Sequence, residues 1–259
     1  MYLLHLFKEH FLNKMKADDF VSSLKDIIKS SDNIVFFGGA GVSTESNIPD
    51  FRSESGIYNE KKYPYPPEVM LSHSFYKSHT KEFYDFYFDK MIYKDAKPND
   101  AHLSLAKLED KGKLKAVITQ NIDGLHQMAG SKNVLELHGS VHRNYCTKCG
   151  VFYDLDYLLK FKGGIPTCEH CGGVVKPDVV LYEEGLNDET VENSVEFIKN
   201  ADTLIIGGTS LAVYPAAGLI RYFKGENLVL INKTATNYDS GATLIIRDNI
   251  GKILKQATE

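Results

Sequence analysis

Gly38, Gly39 and Gly41 surround Ala40 directly after an apolar run from Asn33 to Phe37. A strand that ends in glycines lets backbone come close to a ligand and offers N–H groups to phosphate oxygens. Ser43 and Thr44 follow, and then Ile48, Pro49, Asp50, Phe51 and Arg52, a polar loop carrying an acid, an aromatic and a cation that could close over whatever the glycines hold. A second apolar run ends in Thr119, Gln120, Asn121, Ile122 and Asp123. Two amides and a carboxylate can read a carboxamide through its donor and acceptor pattern, and can equally form an ordinary surface turn. His138 stands beside Gly139 at the end of a short apolar segment, just before a cysteine-rich stretch. An imidazole titrating near neutrality suits a general base there, although a lone histidine also serves well as a structural residue.

The chain has four cysteines, Cys146 and Cys149, then Cys168 and Cys171 after an 18-residue gap. Each C-x2-C turn can bite one ion with two thiolates, and two such turns complete a tetrahedron that suits zinc. With sulfur in every position no site remains for water, so such a zinc is structural rather than catalytic. Disulfides and a redox dithiol are the alternatives, and no secretory feature favours the disulfides. The segment from Arg143 to Lys176 is only mildly basic, so this ribbon reads as structural rather than as a nucleic-acid contact.

These groups need a frame. The 259 residues allow one large domain or a large one with a smaller module, and 43% hydrophobic residues suffice for a normal core. A net charge of −4 gives no global attraction to nucleic acid or anionic membrane, and no apolar stretch approaches the roughly 20 residues that span a bilayer. Met1 to Lys16 lacks a continuous apolar segment, so no secretory signal is read; its Leu3, Leu6, Phe7, Phe11 and Met15 recur at helical spacing and predict a docked helix, with a frayed extension or a membrane-surface helix as the alternatives and the cytoplasm as the expected compartment. Helices are predicted over Ala17 to Lys29, over Thr80 to Tyr93, and from Asn99 or Asp100 as N-cap to Gly112. Strands are predicted at Asn33 to Phe37, Leu114 to Thr119, Asn133 to Leu137, Ala201 to Gly207, Asn227 to Ile231 and Thr243 to Ile246. Pro64, Pro66 and Pro67 mark the stretch before Thr80 as loop. Alternating strands and helices imply a parallel sheet covered on both faces, with ligands beyond the carboxyl ends of its strands. The glycine turn is not a hydride-transfer fingerprint, because Thr44 stands where the last glycine belongs and no clear acid follows at the end of a second strand; nor is it a P-loop, which needs a G-K-[ST].

In their order these residues resemble the sirtuins, NAD-dependent protein deacylases. The resemblance is carried by Gly39 to Ser43, Ile48 to Arg52, Thr119 to Asp123, His138 with Gly139, the four cysteines, and Gly208, Thr209, Ser210 and Leu211 with Val213 and Pro215. It runs from about Ile34 to the C-terminus. It implies a Rossmann-like α/β fold with helices on both faces plus a small zinc-ribbon and helical domain. The NAD-binding domain would comprise residues 1–55, 97–138 and 176–259, and the small domain a helical module at 56–96 and a zinc module at 139–175. Gly39, Ala40, Gly41, Ser43 and Thr44 would hold the NAD diphosphate and ribose, under a lip carrying Asp50, Phe51 and Arg52. Asn121, Ile122 and Asp123 would hold the nicotinamide carboxamide, and Gln120 its ribose. Gly208, Thr209, Ser210, Asn232 and Lys233 would bind the adenosine half, with a further contact around Asp248 and Ile250. His138 would be the general base and Asn121 a second catalytic group. Val179, Val180, Leu181, Tyr182, Glu183 and Val213 would face an acyl-lysine protein bound as an added strand. One structural zinc and NAD+ as co-substrate, no membrane or direct nucleic-acid partner, and a monomer are expected. Deacylation would yield nicotinamide and 2'-O-acyl-ADP-ribose; a mono-ADP-ribosyltransferase on the same scaffold and a non-enzymatic NAD-binding protein are the alternatives.

Three positions depart from the family pattern. Glu183 and Asn47 stand where glycine is usual, and asparagine tolerates positive φ better than most residues. Tyr87 replaces the arginine that, with a tyrosine here matched by Tyr84, accompanies acidic acyl groups; neutral acyl groups, acetyl first, are therefore expected, although both tyrosines could simply pack the helix.

Overall fold

The computed structural model describes residues 17–51, 53, 56–59 and 62–259. The helix expected over Met1 to Lys16 lies outside them, as does Arg52.

A six-stranded parallel sheet forms the larger body, in the order β3-β2-β1-β7-β8-β9. Its strands are β1 (Ile34–Gly38), β2 (Leu114–Thr119), β3 (Val134–Glu136), β7 (Thr203–Gly207), β8 (Asn227–Ile231) and β9 (Leu244–Ile246). Strand β1 is fully buried on both faces, which is why it reads as an unbroken apolar run. Ile34 and Phe36 pack with α1 (Ala17–Ser30), α5 (Asp100–Asp110) and α9 (Ile250–Thr258). Val35 and Phe37 pack on the other side, with Ile198 of α8 (Asp188–Asn200) and with the 3₁₀ segment Ala216–Tyr222. The chain steps outward from β1 through β2 to β3, then returns to β7 on the opposite side of β1. That reversal opens a crevice beyond Gly38 and Gly207, where open α/β sheets bind their ligands.

The second body joins α2 (Pro67–Met70), α3 (His73–Ser78) and α4 (Thr80–Lys90) to an antiparallel sheet, β5 (Phe152–Tyr153), β4 (Gly139–Cys146) and β6 (Val175–Val179). The aromatics of residues 53–97 are its core: Phe83, Tyr84, Phe86, Tyr87 and Phe88 pack with Val141, Val175 and Leu158 of α7 (Leu155–Leu159). The proline-marked stretch holds two short helices rather than loop alone, because Pro67 occupies a first helical position where its missing N–H does no harm. Strand β6 was hidden in the sequence by Pro177, which an edge strand tolerates.

Asn99 is the N-cap of α5, accepting from Ala101 N at 2.9 Å, and its Nδ2 donates to Val42 O at 2.8 Å and Ser46 Oγ at 2.9 Å. It thus ties the helix to the glycine turn. His102 completes the capping box by accepting from Asn99 N through Nδ1. Its ring lies 4.7 Å from that of His126 in α6 (Leu125–Met128), and both are buried. Burial lowers the pKa of His102 to about 4 and, with His102 beside it, that of His126 to about 3. Both are therefore neutral in the fold and gain protons near pH 6.5 only when the chain unfolds. Stability is fully present above pH 6.5 and should fall by on the order of a few kcal/mol as pH drops to about 4. Urea unfolding of His126→Gln should show a shallower loss over that window than the parent; identical slopes would refute the assignment.

Candidate functional site

Two strand-end loops meet backbone to backbone at the crevice. Gly41 N donates to Gly208 O at 2.7 Å and Gly39 N to Gly207 O at 3.3 Å. A Cβ on Gly41 would stand 2.8 Å from Gly208 Cα, and one on Gly39 would stand 2.7 Å from Thr209 Cβ. These N–H groups are therefore committed to the β7 loop rather than presented to phosphate, a correction to the reading from spacing. The two glycines let β1 and β7 loops dock, and Ala40, Ser43 and Thr44 join them in lining the cleft that results.

That cleft has a volume of about 640 Å³ and runs between the two bodies. On one wall Asn121 Nδ2 donates to Ser43 Oγ at 3.0 Å, and Ser43 Oγ donates to Asp123 Oδ2 at 2.6 Å. The other carboxylate oxygen of Asp123 accepts from Leu125 N at 2.9 Å. Amide, hydroxyl and carboxylate so form one ordered chain beside Ile122, a set suited to a carboxamide. Gln120 Nε2 reaches Thr209 Oγ1 at 3.1 Å, and Thr209 N donates to Asn232 Oδ1 at 3.0 Å, linking the ends of β2, β7 and β8. Asn232 is buried, and its Nδ2 has no partner among the described residues. A buried donor of that kind fits a ligand acceptor, as the adenosine half of a dinucleotide would supply. Ser210, Lys233, Asp248 and Ile250 line the same end. The Lys252 ammonium and the Asn249 amide hold the Asp248 carboxyl below the usual range.

His138 Nδ1 donates to Gln120 O at 2.9 Å. That bond fixes the proton on Nδ1 and leaves Nε2 as the basic nitrogen. Burial, partly offset by this bond, pushes its pKa below the ordinary histidine value, so the ring is neutral at pH 7. Gly139 next to it has φ 74°, and a side chain there would overlap Asp178 O, so the histidine is held where β4 begins against β6.

Val179, Val180, Leu181, Tyr182 and Glu183 border the cleft, as does Val213. Val180 N donates to His138 O at 3.0 Å, while Tyr182 N donates to Leu71 O at 3.0 Å and Tyr182 O accepts from His73 N at 2.9 Å. Glu183 has φ 74° and Asn47 φ 62°, so both positions where glycine is usual lie in the left-handed region. Glutamate is disfavoured there, but its carboxylate accepts from Ser74 N at 2.9 Å and Ser74 Oγ at 3.0 Å. Glu184 beside it pairs with His73 at 2.8 Å and Lys176 at 3.3 Å, so two acids fasten this segment to the helical module.

Every site residue expected from the sequence lines this one cleft, except the four cysteines and Arg52, which lies outside the described residues. Asp50 and Phe51 form its lip, Asp50 Oδ1 accepting from Ser53 N at 2.8 Å. Tyr84 and Tyr87 do not line it: both are fully buried in the core of the small body, with Tyr84 OH donating to Val175 O at 2.6 Å. Packing, not acyl selection, accounts for them. Lys90, Met91 and Tyr93 line the cleft instead, and Lys90 pairs with Asp89 at 3.3 Å. No local motif marked these three, which reach the site only through the fold.

The sulfurs of Cys146, Cys149, Cys168 and Cys171 all lie within 4.8 Å of one another. Cys146 and Cys171 stand 3.4 Å apart, Cys149 and Cys168 3.6 Å. A tetrahedral zinc with bonds of about 2.3 Å sets its sulfurs roughly 3.8 Å apart, so the cluster fits one structural zinc. Lys148 N and Cys149 N point at Cys146 Sγ, as suits a thiolate.

The Sir2 family profile matches residues 39–215. An NAD-dependent protein deacetylase of Clostridium acetobutylicum is 67% identical over 92% of this chain and 97% of its own length. One of Clostridium tetani is 66% identical over 90% of this chain and 94% of its own length. A solved structure described as Sir2 with p53 peptide and NAD+ superposes with a TM-score of 0.80 at 38% identity, covering 93% of this chain and 97% of that one.

Proposed function

Because this chain belongs to the Sir2 family and is an NAD-dependent protein-lysine deacetylase, we propose that the cleft residues divide the reaction as follows. Ala40 and Thr44, placed by the docked glycines, hold the NAD diphosphate, and Thr209, Ser210, Asn232 and Lys233 hold the adenosine half. Asn121, Ile122 and Asp123 grip the nicotinamide carboxamide, and Phe51 screens the sugar. When bound, NAD would supply a glycosidic bond whose cleavage releases nicotinamide; the acetyl oxygen would take the vacated sugar carbon and, with one water consumed, the acetyl group would end on a ribose hydroxyl and the lysine amine would be released. His138 Nε2 takes a proton from a ribose hydroxyl, with Nδ1 kept protonated by Gln120 O. The Asn121–Ser43–Asp123 chain orients the amide without needing to move during reaction. The acetyl-lysine peptide lies as a strand along Val179 to Glu183.

The observation that carries this division is the His138–Gln120 bond, which sets the imidazole's basic nitrogen in the same cleft as the carboxamide-reading chain. The separate hydrophobic cores support dividing the chain into an NAD-binding part, 1–55, 97–138 and 176–259, and a small part, 56–96 with 139–175, with β6 crossing the boundary at 176 into the small sheet. Neutral acyl groups are the substrates, since apolar Ile48, Ile57, Leu71 and Leu181 line the cleft and Lys90 is engaged by Asp89. The 2'-O-acyl-ADP-ribose product, a monomer working in the cytoplasm and no nucleic-acid partner complete the reading; no helix among the described residues is long and apolar enough to cross a membrane.

Incubation with NAD and an acetyl-lysine peptide, followed by mass spectrometry, tests it. Nicotinamide and deacetylated peptide should appear in equal amounts, and a succinyl-lysine peptide should react far more slowly. ADP-ribose attached to protein without peptide deacetylation would favour the transferase. A succinyl peptide cleaved as fast as the acetyl one would refute the acyl assignment.

A further inference from the structure

The lip and the peptide segment belong to different parts of the chain, yet a side-chain path joins them. Phe51 borders the cleft, and its ring packs edge-on against Tyr58 with centroids 5.7 Å apart. The backbone between them is closed by two bonds, Tyr58 N to Phe51 O at 3.0 Å and Ile57 N to Asp50 O at 2.9 Å. Tyr58 therefore moves with the lip. Its hydroxyl oxygen lies 2.7 Å from that of Tyr182, 124 residues further along the chain. Tyr182 is held in turn on both sides of its own backbone by Leu71 O and His73 N, and its neighbour Glu183 is clipped to Ser74. One hydroxyl pair thus closes a path from the segment that borders the peptide channel to the aromatic ring over the cofactor.

We propose that Tyr58 and Tyr182 are positioning residues that latch the cofactor lip to the peptide segment, so that peptide and dinucleotide bind with mutual reinforcement. The latch rests on the deacetylase division of the cleft given above. A peptide strand laid along Val179 to Glu183 covers the exposed Tyr182 side chain and fixes it on its already anchored backbone, and Tyr182 then holds Tyr58 and Phe51 in place for the dinucleotide. Ordering that one ligand has already provided need not be supplied again by the other, and the gain must be equal in both directions. A single hydrogen bond at the protein surface can carry a factor of about three to ten.

Calorimetry with ADP-ribose and an acetyl-lysine peptide, on the zinc-loaded full chain, measures that factor. In the parent protein each ligand should tighten the other. Y58F and Y182F keep both rings and remove one hydroxyl each; either should reduce the mutual factor by about three- to tenfold, with the thermal midpoint unchanged. The double variant should lose no more than either single one, because both remove the same bond. Independent binding in the parent, an undiminished factor in the single variants, or losses that multiply in the double variant would each overturn the latch while leaving the deacetylase reading intact. A parent that bound no ADP-ribose would overturn the cofactor assignment, and the latch with it.

Discussion

Replacing His138 with alanine should lower kcat for deacetylation by about 10²- to 10⁴-fold, the range typical of a lost general base. Unfolding should change little by comparison. The side chain is half-buried, its one assigned bond is to Gln120 O, and the neighbouring backbone is held independently by Val180 N on His138 O. The diphosphate and adenosine contacts assigned to Ala40, Thr44, Thr209, Ser210 and Asn232 do not pass through the imidazole, so binding of ADP-ribose should survive. The pH profile offers a second check. Burial lowers the pKa of this ring, so the active neutral form persists below the ordinary histidine value and the acid limb of kcat/KM, which reports the free enzyme, should fall at a pH below 6.5. The alanine variant should lose that limb altogether. Full activity in His138→Ala, or an acid limb unchanged by it, would remove the residue from the mechanism.

The sequence made the larger body readable for a physical reason. Buried parallel strands are short apolar runs, and each ends in a polar or glycine turn that local composition marks plainly, as Gly38, Thr119 and Gly207 do. The same turns line the cleft proposed for the dinucleotide, so His138 and the Asn121 to Asp123 set were visible together with their strands. The small body was harder. Its β6 alternates Val175, Pro177 and Val179 inward with Lys176 and Asp178 outward, but proline masks that pattern. The tyrosines of α4 looked like candidates for acyl recognition because helical spacing cannot tell which face meets a cavity. Tyr84 and Tyr87 turned out to be core, and Lys90 and Met91, one turn further on, border the cleft. The glycine turn was located correctly and explained incompletely: proximity to a ligand and proximity to the β7 loop both demand a missing Cβ, and only the fold distinguishes them.

Loss of the zinc site should be as damaging to activity as loss of His138, although no cysteine lines the cleft. The route is mechanical. Strand β4 begins at Gly139, directly after His138, and ends at Cys146, while β6 ends at Val179, where the peptide segment begins. These two strands pair with each other, Gly139 opposite Val179 and Cys146 opposite Val175. The second cysteine pair is tied to the same sheet, for Thr147 N donates to Val174 O at 2.8 Å and Cys168 N to Gly173 O at 2.7 Å. One ion therefore clamps both strands of a sheet whose far end carries the proposed general base and the proposed peptide edge. Structural zinc binding contributes roughly 10–16 kcal/mol in small zinc-finger peptides, which matches or exceeds the 5–15 kcal/mol that typically holds a whole domain. Cys168→Ser should bind less than one zinc per chain by metal analysis and lose nearly all deacetylation. The large sheet should persist, because its strands β1, β2, β7 and β8 are packed in cores to which no cysteine contributes. Circular dichroism should therefore retain most of its helical signal, and restoring zinc to a chelator-stripped parent should restore activity. A stripped chain that held no metal and still deacetylated at the parental rate would show that the ribbon neither positions His138 nor shapes the peptide edge.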